Sequence, residues 1–170
     1  MELFIVRHAA AEERDAVRWP DDGLRPLTSR GRKRFAALLA VVADAMPPVD
    51  LVLSSGLVRA WNTAELLVRH LSAPAPRRCV VLEDPGSNGG PTVVAGRMLA
   101  PLVEENGRSA VAVVGHEPWL GTFAAALLGA PDGSISIRKG AILCLELPDP
   151  PALRTGRLRW LVHPRLVADT

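Results

Sequence analysis

The chain has little cysteine, no long hydrophobic run and almost no excess charge of either sign. Its two cysteines, Cys79 and Cys144, each sit inside an apolar stretch. Both are expected as reduced, buried thiols, so no disulfide framework staples the fold. No apolar run approaches the ~20 residues that a membrane span needs, so no membrane partner is expected. Met1 to Arg7 place no basic segment ahead of their short apolar run. That run reads as a strand and not a secretory leader, and the expected location is cytoplasmic. Lys and Arg number 20 against 18 Asp and Glu, a formal charge of +2. Nucleic-acid binders concentrate positive charge more strongly, so no nucleic-acid partner is expected. The dense basic run Arg30-Gly31-Arg32-Lys33-Arg34 reads first as a solvated helix face.

What remains is an ordinary globular balance, 48% apolar and 22% charged over 170 residues. A chain of this size supports one core, and a single domain over residues 1–170 is expected. Apolar runs predict strands at 3–6, 49–53, 79–82 and 110–114, then 141–147 and 158–162. Helical patterns lie between them. Thr28 is placed to cap a helix whose stripe is Phe35, Leu38, Leu39, Val42 and Met46. A second stripe reads Leu57, Trp61, Ala64, Val68 and Leu71. A third helical stretch follows the glycine-rich loop 83–90. Pro118 suits the first turn of a fourth helix carrying Leu120, Phe123, Ala124 and Leu127. Strands alternating with helices predict an α/β three-layer sandwich, a mostly parallel sheet with helices on both faces.

Ligands of such sheets bind outside the carboxyl ends of the strands. Arg7 and His8 follow the first predicted strand. Ser54 and Ser55 follow the second, with Arg59 one turn into the next helix. Glu83 and Asp84 follow the third, and Gly115 and His116 the fourth. The topology therefore gathers two histidines, two arginines and two acids at one rim. Arg59 lies about 200° around its helix from Leu57, off the predicted stripe. Two guanidinium forks near a helix start suit a phosphoryl group. A neutral imidazole is a competent nucleophile near pH 7. One histidine can attack phosphorus while the other helps to hold the oxygens. Side-chain cations then supply the charge, and no metal or other cofactor is required.

Four segments carry a family likeness. They are Val6-Arg7-His8-Ala9-Ala10-Ala11-Glu12, Leu24-Arg25-Pro26-Leu27-Thr28-Ser29-Arg30-Gly31, Leu53-Ser54-Ser55-Gly56-Leu57-Val58-Arg59-Ala60-Trp61-Asn62-Thr63-Ala64, and Val114-Gly115-His116-Glu117-Pro118. Taken in order, they resemble the histidine phosphatase superfamily, the phosphoglycerate mutase-like fold. Within it, the chain looks most like the small bacterial phosphohistidine phosphatases. The commoner tripeptide of the superfamily is Arg-His-Gly, and Ala9 here replaces the glycine, as is frequent in the small branch.

The resemblance implies a metal-independent phosphatase. His8 would be the nucleophile, and Arg7, Arg59 and His116 the phosphate pocket. Ser54 and Ser55, with no Gly-x-Ser-x-Gly elbow around them, read as turn or helix-cap residues that offer the site a hydroxyl. Mutase-like relatives draw a general acid from the loop after the third strand, which makes Glu83 and Asp84 candidates. They also read as solvated loop carboxylates. A phosphohistidine substrate leaves as imidazole and can dispense with a positioned acid. The implied substrate is a phosphorylated protein, with small phosphate esters as the alternative and a non-catalytic phospho-ligand module as a third reading. Steering of an acidic phosphoprotein is the second reading of Arg30 to Arg34. Spacing leaves open where Lys139 points, whether Glu12, Glu13 and Asp15 cover the site, and the oligomeric state.

Overall fold

The computed structural model describes residues 1–86 and 88–166. Six strands form one sheet: β1 (Glu2–Arg7), β2 (Leu51–Ser54), β3 (Arg77–Arg78), β4 (Ala110–Gly115), β5 (Ile142–Glu146) and β6 (Arg157–Val162). Their order across the sheet is β3-β2-β4-β1-β5-β6. The pairs β3–β2, β2–β4 and β4–β1 are parallel, whereas β5 runs antiparallel to both of its neighbours. The expected mostly parallel α/β sandwich is thus the fold.

Period-two alternation divides the core into two layers. On β1, Leu3 and Ile5 pack with Val111 and Val113 of β4 beneath α3 (Gly90–Glu104) and α4 (Trp119–Leu128). Phe4 and Val6 pack on the opposite face with Ala112 and Val114, beneath α1 (Ser29–Val42) and α2 (Val58–Leu71). Strands covered on both faces read as continuous apolar runs, which is why β1 and β4 are plain in the sequence. The cap of α1 is as expected: the Thr28 hydroxyl accepts the Gly31 N–H at 2.9 Å. Among the described residues no helix is long and apolar enough to cross a membrane.

Two elements differ from expectation. The run 79–82 is not a strand. The third strand is only Arg77–Arg78, paired with Leu53 and Ser54. Cys79 donates its N–H to Ser54 O, and the chain then turns through the short 3-10 segment Val80–Leu82. That turn seats Leu82 in the core and leaves Val80 64% exposed. Four apolar residues in a row do not by themselves separate a strand from a turn. On α2 the buried positions are Arg59, Ala60, Thr63, Ala64 and Leu67. Of the expected stripe only Ala64 is buried, and Leu57 caps the helix from outside it. The helix presents its small residues to the sheet, and Trp61, Val68 and Leu71 are half-buried at the margins. Arg59 consequently sits at the edge of the buried face.

Candidate active site

Because β1, β2 and β4 are parallel, their carboxyl ends share one edge of the sheet. The antiparallel β5 begins at that edge. Gly140, just before β5, has φ 75°. This is a left-handed conformation that glycine adopts at no steric cost. Its N–H reaches the carbonyls of both Arg7 and His8, at 3.1 and 3.0 Å. The turn before β5 is thereby strapped across the end of β1.

His8 is 5% exposed. Its Nδ1 lies 2.7 Å from Ala9 O. A carbonyl only accepts, so Nδ1 carries the proton and the lone pair is on Nε2. Ala9 in turn donates its N–H to Thr63 Oγ1 at 3.0 Å, and the Thr63 hydroxyl donates to Arg59 O at 2.7 Å. The histidine loop is therefore tied to the first turn of α2. The ring of His116 lies beside that of His8, with centroids 5.1 Å apart and planes inclined by 52°. His116 Nε2 is 2.8 Å from Ser55 Oγ. Burial pushes His8 down to about 3, with the nearby His116, Arg59 and Arg7 acting in the same direction. Burial likewise pushes His116 down to about 4, with Arg59 and Arg7 adding to the effect. Both rings are neutral at physiological pH.

The two arginines are anchored by one nitrogen each. Arg7 Nη1 donates to Ile137 O at 2.8 Å, and Arg59 Nη1 donates to Asp22 O at 2.7 Å. In each, Nε is buried without an acceptor in the protein. A buried N–H left in this way costs free energy. Burial lowers both guanidinium pKa values, opposed by Glu117 near Arg7 and by Asp22 near Arg59. Asp22 also pairs with Arg25 at 2.8 Å and with Arg14 at 3.3 Å. The Arg25 hydrogen bond is the main cause holding its carboxyl at about 2.

Arg7, His8, Arg59 and His116 line one cavity of about 490 Å³, joined by Arg25 and Lys139. The carboxylates at its wall are Glu12, Glu13 and Glu117. Lys139 thus faces the rim, whereas Asp15 turns its carboxylate to the N–H groups of Val17 and Arg18. Ser54 does not reach the cavity: it is fully buried and donates to Ser55 O at 2.9 Å. The hydroxyl that touches the site is that of Ser55. Glu83 and Asp84 also stand outside it. Glu83 is held by Arg78 at 2.6 and 3.0 Å and accepts the Gly56 N–H. Asp84 accepts the Gly86 N–H at 2.8 Å. Glu83 is nonetheless near enough to His116 to oppose the lowering of its pKa.

Sequence reasoning missed Asp22, Arg25, Thr63 and Glu117 as parts of the site. Glu117 accepts the N–H groups of Ile137 at 2.5 Å and Gly121 at 3.1 Å, and so fixes the turn that holds Arg7. It lies in the Gly-His-Glu-Pro segment, where the signal was present. Arg25 and Thr63 likewise stand in segments that carried the likeness, whereas Asp22 gave no signal, because its loop has no periodicity. Among the described residues no group of three or more His, Cys, Asp or Glu is arranged to hold a metal.

The sequence pattern of the histidine phosphatase superfamily (branch 1) matches residues 3–79. This span carries His8, Arg7 and Arg59. The chain belongs to the histidine phosphatase superfamily. An uncharacterized protein of Picosynechococcus is 30% identical over 166 residues, 96% of this chain and 90% of that one. The protein histidine phosphatase SixA, solved with tungstate, has a similar structure with a TM-score of 0.79 at 24% identity, covering 99% of this chain and 100% of that one. An α-ribazole-5'-P phosphatase of Escherichia coli superposes with a TM-score of 0.70 at 21% identity, covering 96% and 97%. At these identities the two structures share the superfamily fold with this chain.

Proposed function

We propose that the protein is a metal-independent phosphatase that works through phospho-His8 and acts on protein phosphohistidine. One observation carries the reading. A neutral imidazole with its lone pair fixed on Nε2 stands beside a second imidazole and two half-satisfied guanidiniums, in an open cavity. A structurally similar protein is a protein histidine phosphatase bound to tungstate, a tetrahedral oxyanion.

The lone pair of His8 Nε2 attacks phosphorus in line, and the bond from phosphorus to the leaving nitrogen breaks. That nitrogen keeps the electron pair and takes a proton from solvent. The guanidiniums of Arg7 and Arg59 hold non-bridging oxygens, with charge-assisted bonds that strengthen as negative charge develops. His116 gives Nε2 to the Ser55 hydroxyl and keeps Nδ1 for a phosphoryl oxygen. Water then attacks phosphorus, the P–N bond breaks, the electron pair returns to Nε2, and both protons of the water leave with phosphate. Hydrolysis of small phosphate esters is the second reading. The cavity-lining Glu12 and Glu13 favour it, because an alkoxide leaving group needs a proton.

The test is rapid quench of the wild type and His8→Ala with a ³²P-labelled phosphohistidine protein. Acid-labile, base-stable label on the wild type and none on His8→Ala is expected. Label on His8→Ala, or turnover by the wild type without label, overturns the mechanism. Comparing that substrate with sugar and nucleotide phosphates decides between the two substrate classes.

A further inference from the structure

A second cavity, of about 360 Å³, adjoins the candidate active site and shares Arg7 and Lys139 with it. Its wall also holds Arg34, Arg138 and Arg165 and the imidazole of His163, and no carboxylate lines it among the described residues. Three distant parts of the chain supply these groups: the start of α1, the turn before β5 and the segment after β6. Arg34 belongs to the basic run that stood out in the sequence. Arg138, His163 and Arg165 pass in turn into a third cavity, of about 310 Å³, walled by Leu161 and Leu166. Those leucines are 46% and 77% exposed. The surface therefore forms a track from the phosphoryl site, across a cationic shelf, to an apolar strip.

We propose that this track docks an acidic segment, followed by apolar residues, that flanks the phosphorylated side chain of a protein substrate. The assignment rests on the protein-phosphatase reading above and deepens it. Net charge of the chain is only +2, so three exposed cations, Arg138, Lys139 and Arg165, beside Arg7 are a concentrated feature. Sites for small anions enclose the ligand and fix their polar groups. Here Arg138, Lys139 and Arg165 are exposed, and the shelf opens onto leucines, a combination suited to a macromolecular partner steered by charge. A small phosphate ester is too short to span the three cavities.

Docking is read without catalysis, by fluorescence anisotropy of a labelled, unphosphorylated peptide, Glu-Glu-Glu-Leu-Leu. The peptide is expected to bind the wild type, and to bind about tenfold more weakly to Arg138→Glu/Arg165→Glu and at raised salt. Leu161→Ser is expected to weaken the peptide and leave binding of tripolyphosphate unchanged. The Arg138→Glu/Arg165→Glu protein should hydrolyse p-nitrophenyl phosphate within about twofold of the wild type, which shows that it is folded, because neither residue lines the active-site cavity. Equal peptide affinity for wild type and charge-reversed protein overturns the docking track. Peptide binding indifferent to Leu161→Ser assigns the shelf to small polyanions and overturns the protein assignment. Loss of phosphohistidine turnover with peptide binding intact counts against the catalytic reading alone.

Discussion

Thr63 is a buried threonine one turn into a helix, an unremarkable residue in composition, yet it couples two halves of the site. Its hydroxyl donates to Arg59 O and accepts from Ala9 N–H, and the carbonyl of the same alanine accepts His8 Nδ1–H. The imidazole orientation and the position of the Arg59 backbone are thereby set by one side chain. Thr63→Val removes both bonds and leaves the buried Ala9 N–H without a partner, which costs roughly 1–3 kcal/mol. A misplaced nucleophile loses more in rate than in binding, so kcat should fall by about tenfold or more with KM little changed. Thr63→Ser keeps the hydroxyl and should restore most of kcat. Steady-state kinetics of the two variants check this. A wild-type kcat in Thr63→Val, or failure of the serine to rescue, removes Thr63 from the positioning of His8.

At the scale of elements, the first turn of α1 presses on the loop that follows the nucleophile. A Cβ at Gly31 would come within 2.1 Å of Ala10 O, a backbone atom that also accepts from Thr28 N–H. Gly31→Ala must separate helix from loop, at a cost of roughly 1–3 kcal/mol. Gly96, in the exposed part of α3, has nothing within 4 Å of its Cβ position. Gly96→Ala should instead stabilise by roughly 0.4–1 kcal/mol. Thermal melts should therefore move in opposite directions, and equal shifts would refute the packing account. The same elements show what was legible beforehand. Arg7, His8, Arg59 and His116 were found because each follows an apolar run or opens a helix, where topology alone sets position. Of the two serines read as offering a hydroxyl, the one that reaches His116 is Ser55, and of the two readings of Glu83 and Asp84 the structure favours loop carboxylates held by local partners after a turn read as a strand. The face of α2 was misread because burial there selects small side chains that fit against the sheet, and a hydrophobic stripe reports large ones. Asp22 acts on Arg59 through a long-range contact that no local pattern announces, whereas Arg25 and Glu117 stand in segments that carried the likeness without a role of their own.

For the whole molecule, the site imposes a pH dependence on folding. His8 and His116 titrate at about 3 and about 4 in the folded protein. The unfolded chain takes up these protons near 6.5. Between pH 6.5 and about 4 the unfolded state therefore binds more protons than the folded one, and stability falls as the pH falls. The effect ends once both states are protonated. Carboxylates act in the same direction over a lower window: Asp22, held at about 2 by its arginine partners, loses its contribution only below the ordinary carboxylate range. The two origins are separable for that reason. Melting temperatures of the wild type should decline from pH 7 to pH 4.5. His8→Asn/His116→Asn, which cannot titrate at these positions, should show a distinctly flatter decline across the same interval. A double variant with the wild-type slope would mean that the imidazoles are not held neutral by burial. It would also withdraw the physical basis for a lone pair on His8 Nε2 that stays available to phosphorus well below the ordinary histidine range.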